Sequence, residues 1–597
     1  MIKNRIDRLR SLMAERNIDT YIIPTADFHE SEYVCAYFQA RKYMCGFTGS
    51  AGVLVITRTE GCLFTDGRYF IQAERQLQDT SVDLYRSGEK GVPSLVNLVV
   101  DKTPENGCVA FDGRVINAKL GQEIEEKTAH KSIRIRFEED LIDLIWEKRP
   151  PIHFSPIWHL EEKYTGKSVE EKLKELRSKM QEHGADVHVL TSLNDIAWLY
   201  NMRADDVPNN PVAMAYTVVY ADKAAVFLHS GSLEKEMEQV LAEAGVAIFE
   251  YEDFYTYISE HRSEFEKVLI DPGNINYVTW KILETDTEPV LHSNPTIHMK
   301  SIKNQTEIKN ITAAHIKDGA AVTKFMYWLK SNIGRMKITE MSATEELLRL
   351  RSGVEGFIDL SFDTIAAYKD HAPMMHYSAT PETDAELMEE EMFLVDSGGH
   401  YYEGTTDITR TFVLGDITEE MKLHYTTVVK SMLRLSKATF LYGCTGLTLD
   451  VLAREPVWNL YLDYKCGTGH GVGYLLSVHE GPNQFRWKSA AGNGAGCVFE
   501  PGMITTNEPG IYIEGSHGIR IENEILCIEK FDDGQDKYLG FTPLTFVPID
   551  LDGVDVRYLD VSDIAALNEY HKAVYETISP YLNAEEKKWL AYYTRPL

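Results

Sequence analysis

The chain lacks an excess of positive charge, which argues against nucleic acid held through its phosphates, a local basic patch aside. Across 597 residues, Lys and Arg number 61 against 91 Asp and Glu, a formal net charge of -30. Neither nucleic acid nor an anionic membrane is therefore an expected partner. Paired cysteines are also missing. The 8 Cys are scattered and show no Cys-x-x-Cys spacing, so neither a zinc knuckle nor a disulfide framework is indicated. No apolar run approaches the roughly 20 residues that span a bilayer. The opening Met1-Ile2-Lys3-Asn4-Arg5-Ile6-Asp7 holds no apolar signal core. The expectation is a cytoplasmic protein with reduced thiols. Two nucleotide-binding patterns fail as well. Gly166-Lys167-Ser168 has the end of a phosphate-binding loop, but its first glycine would fall on Glu161. The glycines around His470 do not keep the Gly-x-Gly-x-x-Gly spacing on a strand-to-helix turn. They suit a close approach of backbone to a site instead.

What is present is an ordinary globular composition, 44% hydrophobic and 25% charged. Ile2, Ile6, Leu9 and Met13 fall at helical spacing. A strand at Tyr21–Pro24, a strand over 52–57 and a helix starting near Tyr69 follow. An internal repeat comes next. Leu9-Arg10-Ser11-Leu12-Met13 recurs as Leu176-Arg177-Ser178-Lys179-Met180, and Asp19-Thr20-Tyr21-Ile22-Ile23 as Asp186-Val187-His188-Val189-Leu190. Helix and strand recur in register, which predicts two copies of one α/β domain, joined by a proline-bearing linker over 148–158. Ser168 with Glu171, and Asn304 with Glu307, read as helix capping boxes. The second begins a long helix whose apolar face includes Ile308, Ile311, Val322, Phe325 and Leu329. The expected domains are 1–155, 156–303 and 304–597, the last ending in a helical extension from about 555. The tail from Val561 to Tyr593 is rich in Tyr and Trp, which suits docking on its own domain or a contact between copies.

The stretch from Phe393 to Phe412 organises the chain. An apolar run ends in Asp396, Gly398-Gly399 turns the chain, and an alternating run returns with Asp407 within it. That pattern predicts a hairpin. Carboxylates among apolar neighbours are costly unless paired or on a metal, and two facing each other across a hairpin call for a cation. Four further segments carry polar groups that packing does not explain: Met374-Met375-His376-Tyr377, Cys466 to Gly473 with Val478-His479-Glu480-Gly481-Pro482, Ile504 to Tyr512, and Gly518 to Ile525. In the last, strand alternation predicts Ile519, Ile521 and Ile525 on one face and Arg520, Glu522 and Glu524 on the other. Carboxylates with imidazole make a hard, oxygen-rich donor set, suited to Mn²⁺, Co²⁺ or Zn²⁺ rather than to a thiolate metal.

In order and spacing, Asp396, Asp407, His470, Glu508 and Glu522 resemble the five metal ligands of the pita-bread dinuclear metallopeptidases. The runs Asp66-Gly-Arg-Tyr-Phe70, Glu403-Gly-Thr-Thr-Asp407, Gly467-Thr-Gly-His-Gly-Val-Gly473, Val478-His-Glu-Gly-Pro482 and Arg520-Ile-Glu-Asn523 are most similar to the aminopeptidase P, or Xaa-Pro aminopeptidase, family in its long three-domain cytosolic form. The resemblance runs from Tyr21 almost to the C-terminus. It implies two repeated creatinase-type N-terminal domains before a pita-bread catalytic domain, an α/β (α+β) chain. Creatinase itself shares the fold but lacks the ligands.

The same resemblance implies two divalent ions, Mn²⁺ ahead of Zn²⁺ or Co²⁺. Asp396 would chelate one, His470 and Glu508 the other, with Asp407 and Glu522 bridging. A metal-bridging hydroxide would release the N-terminal residue from peptides with proline second. Glu508 would also carry the proton. His376 and His479 would bind substrate and the developing oxyanion, with Tyr512 and Arg520 steadying the ligands. A homodimer is expected. Alternatives are a prolidase-type Xaa-Pro dipeptidase and, more remotely, a non-catalytic binding module on the same fold. One departure stands out. The family pattern has His four residues before the ligand His470, and this chain has Cys466. Cys466 is expected to line the pocket that receives proline.

Overall fold

The structure is a computed structural model, and it describes residues 1–488 and 496–597. The chain divides into two compact units, Met1–Glu161 with Lys167–Ile297, and Glu162–Gly166 with His298–Leu597.

The first unit contains the repeat. Helix α1 (Ile2–Glu15) buries Ile6, Leu9 and Met13, as its helical spacing predicts. It leads into β1 (Thr20–Pro24), whose five residues are all buried. With β2 (Val53–Thr57), β3 (Gly61–Thr65), β4 (Asp83–Arg86), β5 (Cys108–Ala110) and β6 (Arg134–Arg136) it forms a sheet of order β4-β3-β2-β1-β5-β6. In the second copy, α2 (Val169–Glu182) carries the expected Ser168–Glu171 capping box and buries Leu173, Leu176 and Met180. Then β7 (Val187–Leu190), β8 (Ala215–Tyr220), β9 (Ala224–Leu228), β10 (Val246–Glu250), β11 (Lys267–Ile270) and β12 (Glu288–Leu291) repeat the order as β10-β9-β8-β7-β11-β12. The pairing senses agree too. β1 is antiparallel to β2 and parallel to β5, and β7 is antiparallel to β8 and parallel to β11. One residue type closes both sheets in the same way. Asp19 bonds Cys108 through its N–H and its carboxylate. Asp186 does the same to Lys267.

The second unit opens with α3 (Gln305–Asn332), capped by the Asn304–Glu307 box, and α4 (Glu340–Ser352). Three antiparallel strands follow in the order β13 (Ile365–Tyr368), β14 (Met392–Ser397), β15 (Ile408–Val413). Alternation sends Phe393 and Val395 into a core with Phe325, Leu329 and Phe412. Helices α5 (Glu419–Ser436) and α6 (Gly446–Trp458) precede the rest of the sheet. That sheet has six strands: β16 (Thr439–Leu441), β17 (Gly469–Gly471), β18 (Glu480–Phe485), β19 (Ile504–Asn507), β22 (Asn523–Asp532) and β23 (Lys537–Pro543). Their spatial order is β16-β23-β22-β19-β17-β18. A separate hairpin joins β20 (Gly510–Ile513) to β21 (His517–Arg520). Among the described residues no helix is long and apolar enough to cross a membrane.

Two sequence expectations need correction here. The stretch from Phe393 to Phe412 is not one simple hairpin. β14 and β15 do pair, with Asp396 opposite Thr409, but the chain between them makes a side hairpin from Gly399–Tyr401 to Gly404–Thr405. Asp407 therefore precedes β15 rather than lying within it. The excursion is held by a fully buried ion pair, in which Arg351 of α4 donates to Asp318 of α3 at 2.7 and 3.0 Å. Tyr401 Oη and Thr406 Oγ1 donate to the same carboxylate at 2.8 and 2.7 Å. Gly398 allows the approach, since a Cβ there would lie 1.9 Å from the Thr406 carbonyl oxygen. Nor is 518–525 one strand. The chain leaves β21 after Arg520 and enters β22 at Asn523. Ile519 and Ile521 consequently join a core with Tyr425, Val428 and Leu567, and Ile525 joins a different one with Phe485 and Phe541.

The tail forms α7 (Val561–Ile578) and α8 (Ala584–Tyr593). Tyr570, Trp589 and Tyr593 turn inward onto the cores of their own unit, while Tyr575 and Tyr592 are exposed. Tyr570 also helps to satisfy a fully buried guanidinium. Arg410, on β15, donates to the carbonyls of Thr409, Glu522, Val547 and Pro548, to Asn523 Oδ1 and to Tyr570 Oη.

Candidate metal centre

The polar side chains singled out in the sequence arrive from several strands and the junctions beside them. Asp396 is the penultimate residue of β14 and Asp407 stands just before β15. His470 is at the middle of β17, Glu508 just beyond β19 and Glu522 between β21 and β22. Ligand atoms of Asp407, His470 and Glu522 lie within 4.8 Å of one another. His470 Nε2 is 3.5 Å from Asp407 Oδ2 and 3.4 Å from Glu508 Oε1. Asp396 is tied to the group through Arg520, whose Nη2 donates to Asp396 Oδ2 at 2.6 Å.

Glycines make this convergence possible. A Cβ at Gly469 would lie 1.8 Å from the Thr506 carbonyl oxygen, and one at Gly471 would lie 2.2 Å from that of Glu480. A side chain at either position would push β17 off its neighbours.

The site is electrostatically unbalanced within its own side chains. Burial, with Glu522, Asp396 and Glu508 nearby, holds the Asp407 carboxyl well above the usual carboxylate range. Burial and the charges of Glu508 and Asp396 do the same to Glu522. Burial also raises Glu508, although Arg520 and His479 pull against it. The donor geometry tests whether cations fit. The Nδ1 of His470 faces the Gly471 carbonyl at 3.0 Å, which as donor fixes the tautomer and leaves the Nε2 lone pair toward Asp407 and Glu508. Asp396 Oδ1 is buried and accepts no hydrogen bond. A neutral imidazole nitrogen aimed at carboxylate oxygens, and a buried oxygen with no donor, are what ligands to a hard divalent ion require.

The remaining predicted residues gather at the rim. Arg520 Nη1 donates to Tyr512 Oη at 2.8 Å, so the β20–β21 hairpin carries both residues to Asp396. Arg520 Nη2 also donates to the Met375 carbonyl at 3.3 Å, which brings the half-buried His376, next in sequence, to this side of the site. The His479 ring stands perpendicular to that of His470 with centroids 4.3 Å apart. Cys466 is half-buried and packs against the same core as Tyr512, and its carbonyl accepts from Arg454 Nη2 at 3.1 Å.

Two threonines escape the sequence reading. Thr409 Oγ1 donates to Glu522 Oε2 at 2.7 Å and accepts from Arg520 Nε at 3.2 Å. Thr506 Oγ1 donates to Glu508 Oε1 at 3.1 Å and accepts from the His470 N–H at 3.0 Å. The signal was period two, since Thr409 follows Asp407 by two residues and Thr506 precedes Glu508 by two. The Asp318–Arg351 pair had no such signal, because its members lie far from the site in sequence.

Comparison with known proteins agrees with this architecture. Residues 5–137 and 148–307 each match the creatinase/prolidase N-terminal domain. Residues 309–529 match metallopeptidase family M24, and 537–597 match its C-terminal region. Aminopeptidase P2 of Arabidopsis thaliana is 35% identical over 100% of this chain and 89% of its own length. An X-prolyl aminopeptidase from Caenorhabditis elegans, described as a cytosolic enzyme with a di-nuclear active site, superposes with a TM-score of 0.95 at 31% identity, covering 100% of both chains. A Xaa-Pro dipeptidase from Bacillus anthracis shares the fold over 64% of this chain and 99% of its own, with a TM-score of 0.51 at 24% identity. Two creatinase-type N-terminal domains thus precede a pita-bread catalytic domain, and the chain belongs to the aminopeptidase P family of M24 metallopeptidases.

Proposed function

We propose that this chain releases the N-terminal residue from peptides with proline in the second position, with Asp396, Asp407, His470, Glu508 and Glu522 holding two divalent ions. The observation that carries the reading is the convergence of Asp407, Glu508 and Glu522 on a histidine whose Nε2 lone pair faces Asp407 and Glu508, with Asp396 joined to them through Arg520. Bound divalent ions supply Lewis acidity, which lowers the pKa of water and polarises the scissile carbonyl. The chain's own residues do the rest. Glu508, raised by burial, takes the proton at its carboxylate and delivers it to the leaving nitrogen. His479 and His376 hydrogen-bond the carbonyl oxygen as charge develops there and orient the peptide. Tyr512 and Arg520 hold Asp396 in place. The acidic cluster meets the substrate's free amine, and Cys466 lines the proline pocket.

Manganese as the native metal belongs to the same reading, as does residence in the cytosol, stated in print for the Caenorhabditis elegans enzyme. So does a homodimer. With half of the tail aromatics turned inward, further support for it comes from α6, which exposes Leu447, Val451 and Leu452, near which Tyr461 is exposed. Sedimentation as a monomer at micromolar concentration would remove the dimer.

The decisive assay offers the manganese-loaded protein a Xaa-Pro-Pro tripeptide and a Xaa-Pro dipeptide. Cleavage of the tripeptide after its first residue is expected. Cleavage of the dipeptide alone would make the chain a dipeptidase, and cleavage of neither would leave a binding module.

A further inference from the structure

Lys300, Lys303 and Glu480 form a buried ion cluster in the catalytic unit that the metal centre does not use. Glu480 Oε1 takes Lys303 Nζ at 2.5 Å and Oε2 takes Lys300 Nζ at 3.3 Å. The three side chains are 3%, 1% and 6% exposed for Glu480, Lys303 and Lys300. With each oxygen held by a different ammonium, the carboxylate has no freedom to turn.

Both ends of this cluster are anchored. Lys303 immediately precedes Asn304, the cap residue of α3, whose reciprocal capping box fixes the chain at that point. The Lys303 N–H donates to the Gly502 carbonyl at 3.0 Å, and Ile302 bridges to Met503. The segment where the chain enters the catalytic unit is thus stitched to the run that leads into β19 and Glu508. At the other end, Glu480 follows His479 directly and pairs across the sheet with Gly471, next to His470.

We infer that the Lys300–Glu480–Lys303 clamp positions the His479 imidazole for the reaction. The inference rests on the role given to His479 above. Bringing three charges into the interior carries a desolvation penalty, and apolar residues of similar volume are often as stabilising or more so. Here the ionic version fixes one carboxylate, and through it the residue beside it. Glu480 and the two lysines are positioning residues, since none of them reaches the substrate.

The test uses the full, metal-loaded chain with a Xaa-Pro-Pro peptide. A charge-free variant, Lys300→Met with Lys303→Met and Glu480→Leu, retains volume and folds without an unpaired buried charge. Its kcat should fall about 10- to 100-fold, the loss that goes with a displaced catalytic group. KM should stay within about threefold and metal content should not change. Lys303→Arg, which keeps a cation on Glu480, should recover most of the rate. Added to His479→Ala, the charge-free changes should lower kcat no further, because both act through one imidazole. Additive losses, or wild-type kcat in the charge-free variant beside a slow His479→Ala, would overturn the clamp and leave the role of His479 standing. Wild-type kcat in His479→Ala itself would overturn both.

Discussion

Aspartates that end strands behave differently in the two halves of this molecule. In the first unit, Asp19 and Asp186 stand 167 residues apart in matching places of the repeat. Each carboxylate accepts a backbone N–H of the neighbouring strand, from Cys108 at 2.9 Å and from Lys267 at 2.6 Å. Asp19 also takes Arg58 at 2.8 Å. In the catalytic unit, Asp396 and Asp407 also mark strand ends, but their neighbours are other acids. Asp396 has Arg520 on one oxygen and no hydrogen bond on the other. The same residue at the same kind of position clips two strands in the first unit, and at Asp396 keeps one buried oxygen without a hydrogen bond, as the proposed ligand role requires.

The largest effect should separate those two roles. Glu508→Ala and His470→Ala should each lower turnover by at least ~10³-fold and reduce bound metal as measured by elemental analysis. Full metal content with a wild-type rate in either variant would end the assignment of the site. On the other side, Asp19→Ala and Asp186→Ala should each lower unfolding free energy by about 1–3 kcal/mol while kcat and metal content of the folded protein stay the same. A denaturant titration with parallel kinetics reads both, and lost activity without lost stability would erase the distinction.

His571 sharpens the contrast from within the catalytic unit. Burial, with Arg410 and Arg595 nearby, pushes its imidazole down to about 3, and its Nε2 accepts the Ile549 N–H at 3.1 Å. The folded state therefore keeps it neutral where the unfolded chain, with a pKa of about 6.5, takes a proton. Its contribution is whole above that value and is lost as pH falls toward the folded pKa. Between pH 7 and 5 the wild type should lose about 2 kcal/mol more than His571→Gln, which accepts the same N–H without titrating over that range. Equal losses in the two proteins would show that His571 is not the group responsible.

The smallest effect is expected at Cys466. Cys466→Ala should retain both metals and change kinetics by only about 2- to 5-fold, the scale of a small packing change in a pocket. Alkylation of Cys466 should slow turnover, and a proline-containing inhibitor should protect it. Wild-type kinetics in the variant together with unprotected alkylation would place the thiol outside the pocket.

Much of this was legible in the sequence because its signals are local or periodic. Ile6, Leu9 and Met13 announce α1, and the match of Leu9 to Leu176 announces a second copy whose sheet follows the same order. That Asp396, Asp407, His470, Glu508 and Glu522 belong together was implied by the resemblance of the motifs around them to a known family, since each feature by itself is weak. What stayed hidden depended on partners distant in sequence. Nothing between Gly398 and Asp407 reveals that Asp318, some eighty residues earlier, draws Tyr401 and Thr406 into a side hairpin. Alternation over 518–525 was sound residue by residue but could not show that the strand breaks at Glu522 and that its isoleucines serve two cores. Thr409 and Thr506 were overlooked because threonine is at home in any strand.

Arg410 gives the order of synthesis a structural meaning. A ribosome that has made the chain as far as Glu522 has already delivered all four acids and the histidine. The guanidinium on β15, next to Thr409 and in contact with the Glu522 carbonyl, still lacks Asn523, Val547, Pro548 and Tyr570. Until those residues emerge, a permanently charged group at the back of the centre has only part of its hydrogen bonding, and water must supply the rest. Tyr570 of α7 is the last of these partners to be made, so the strands that bear the acids and the histidine should close into a dry interior only once that helix has emerged.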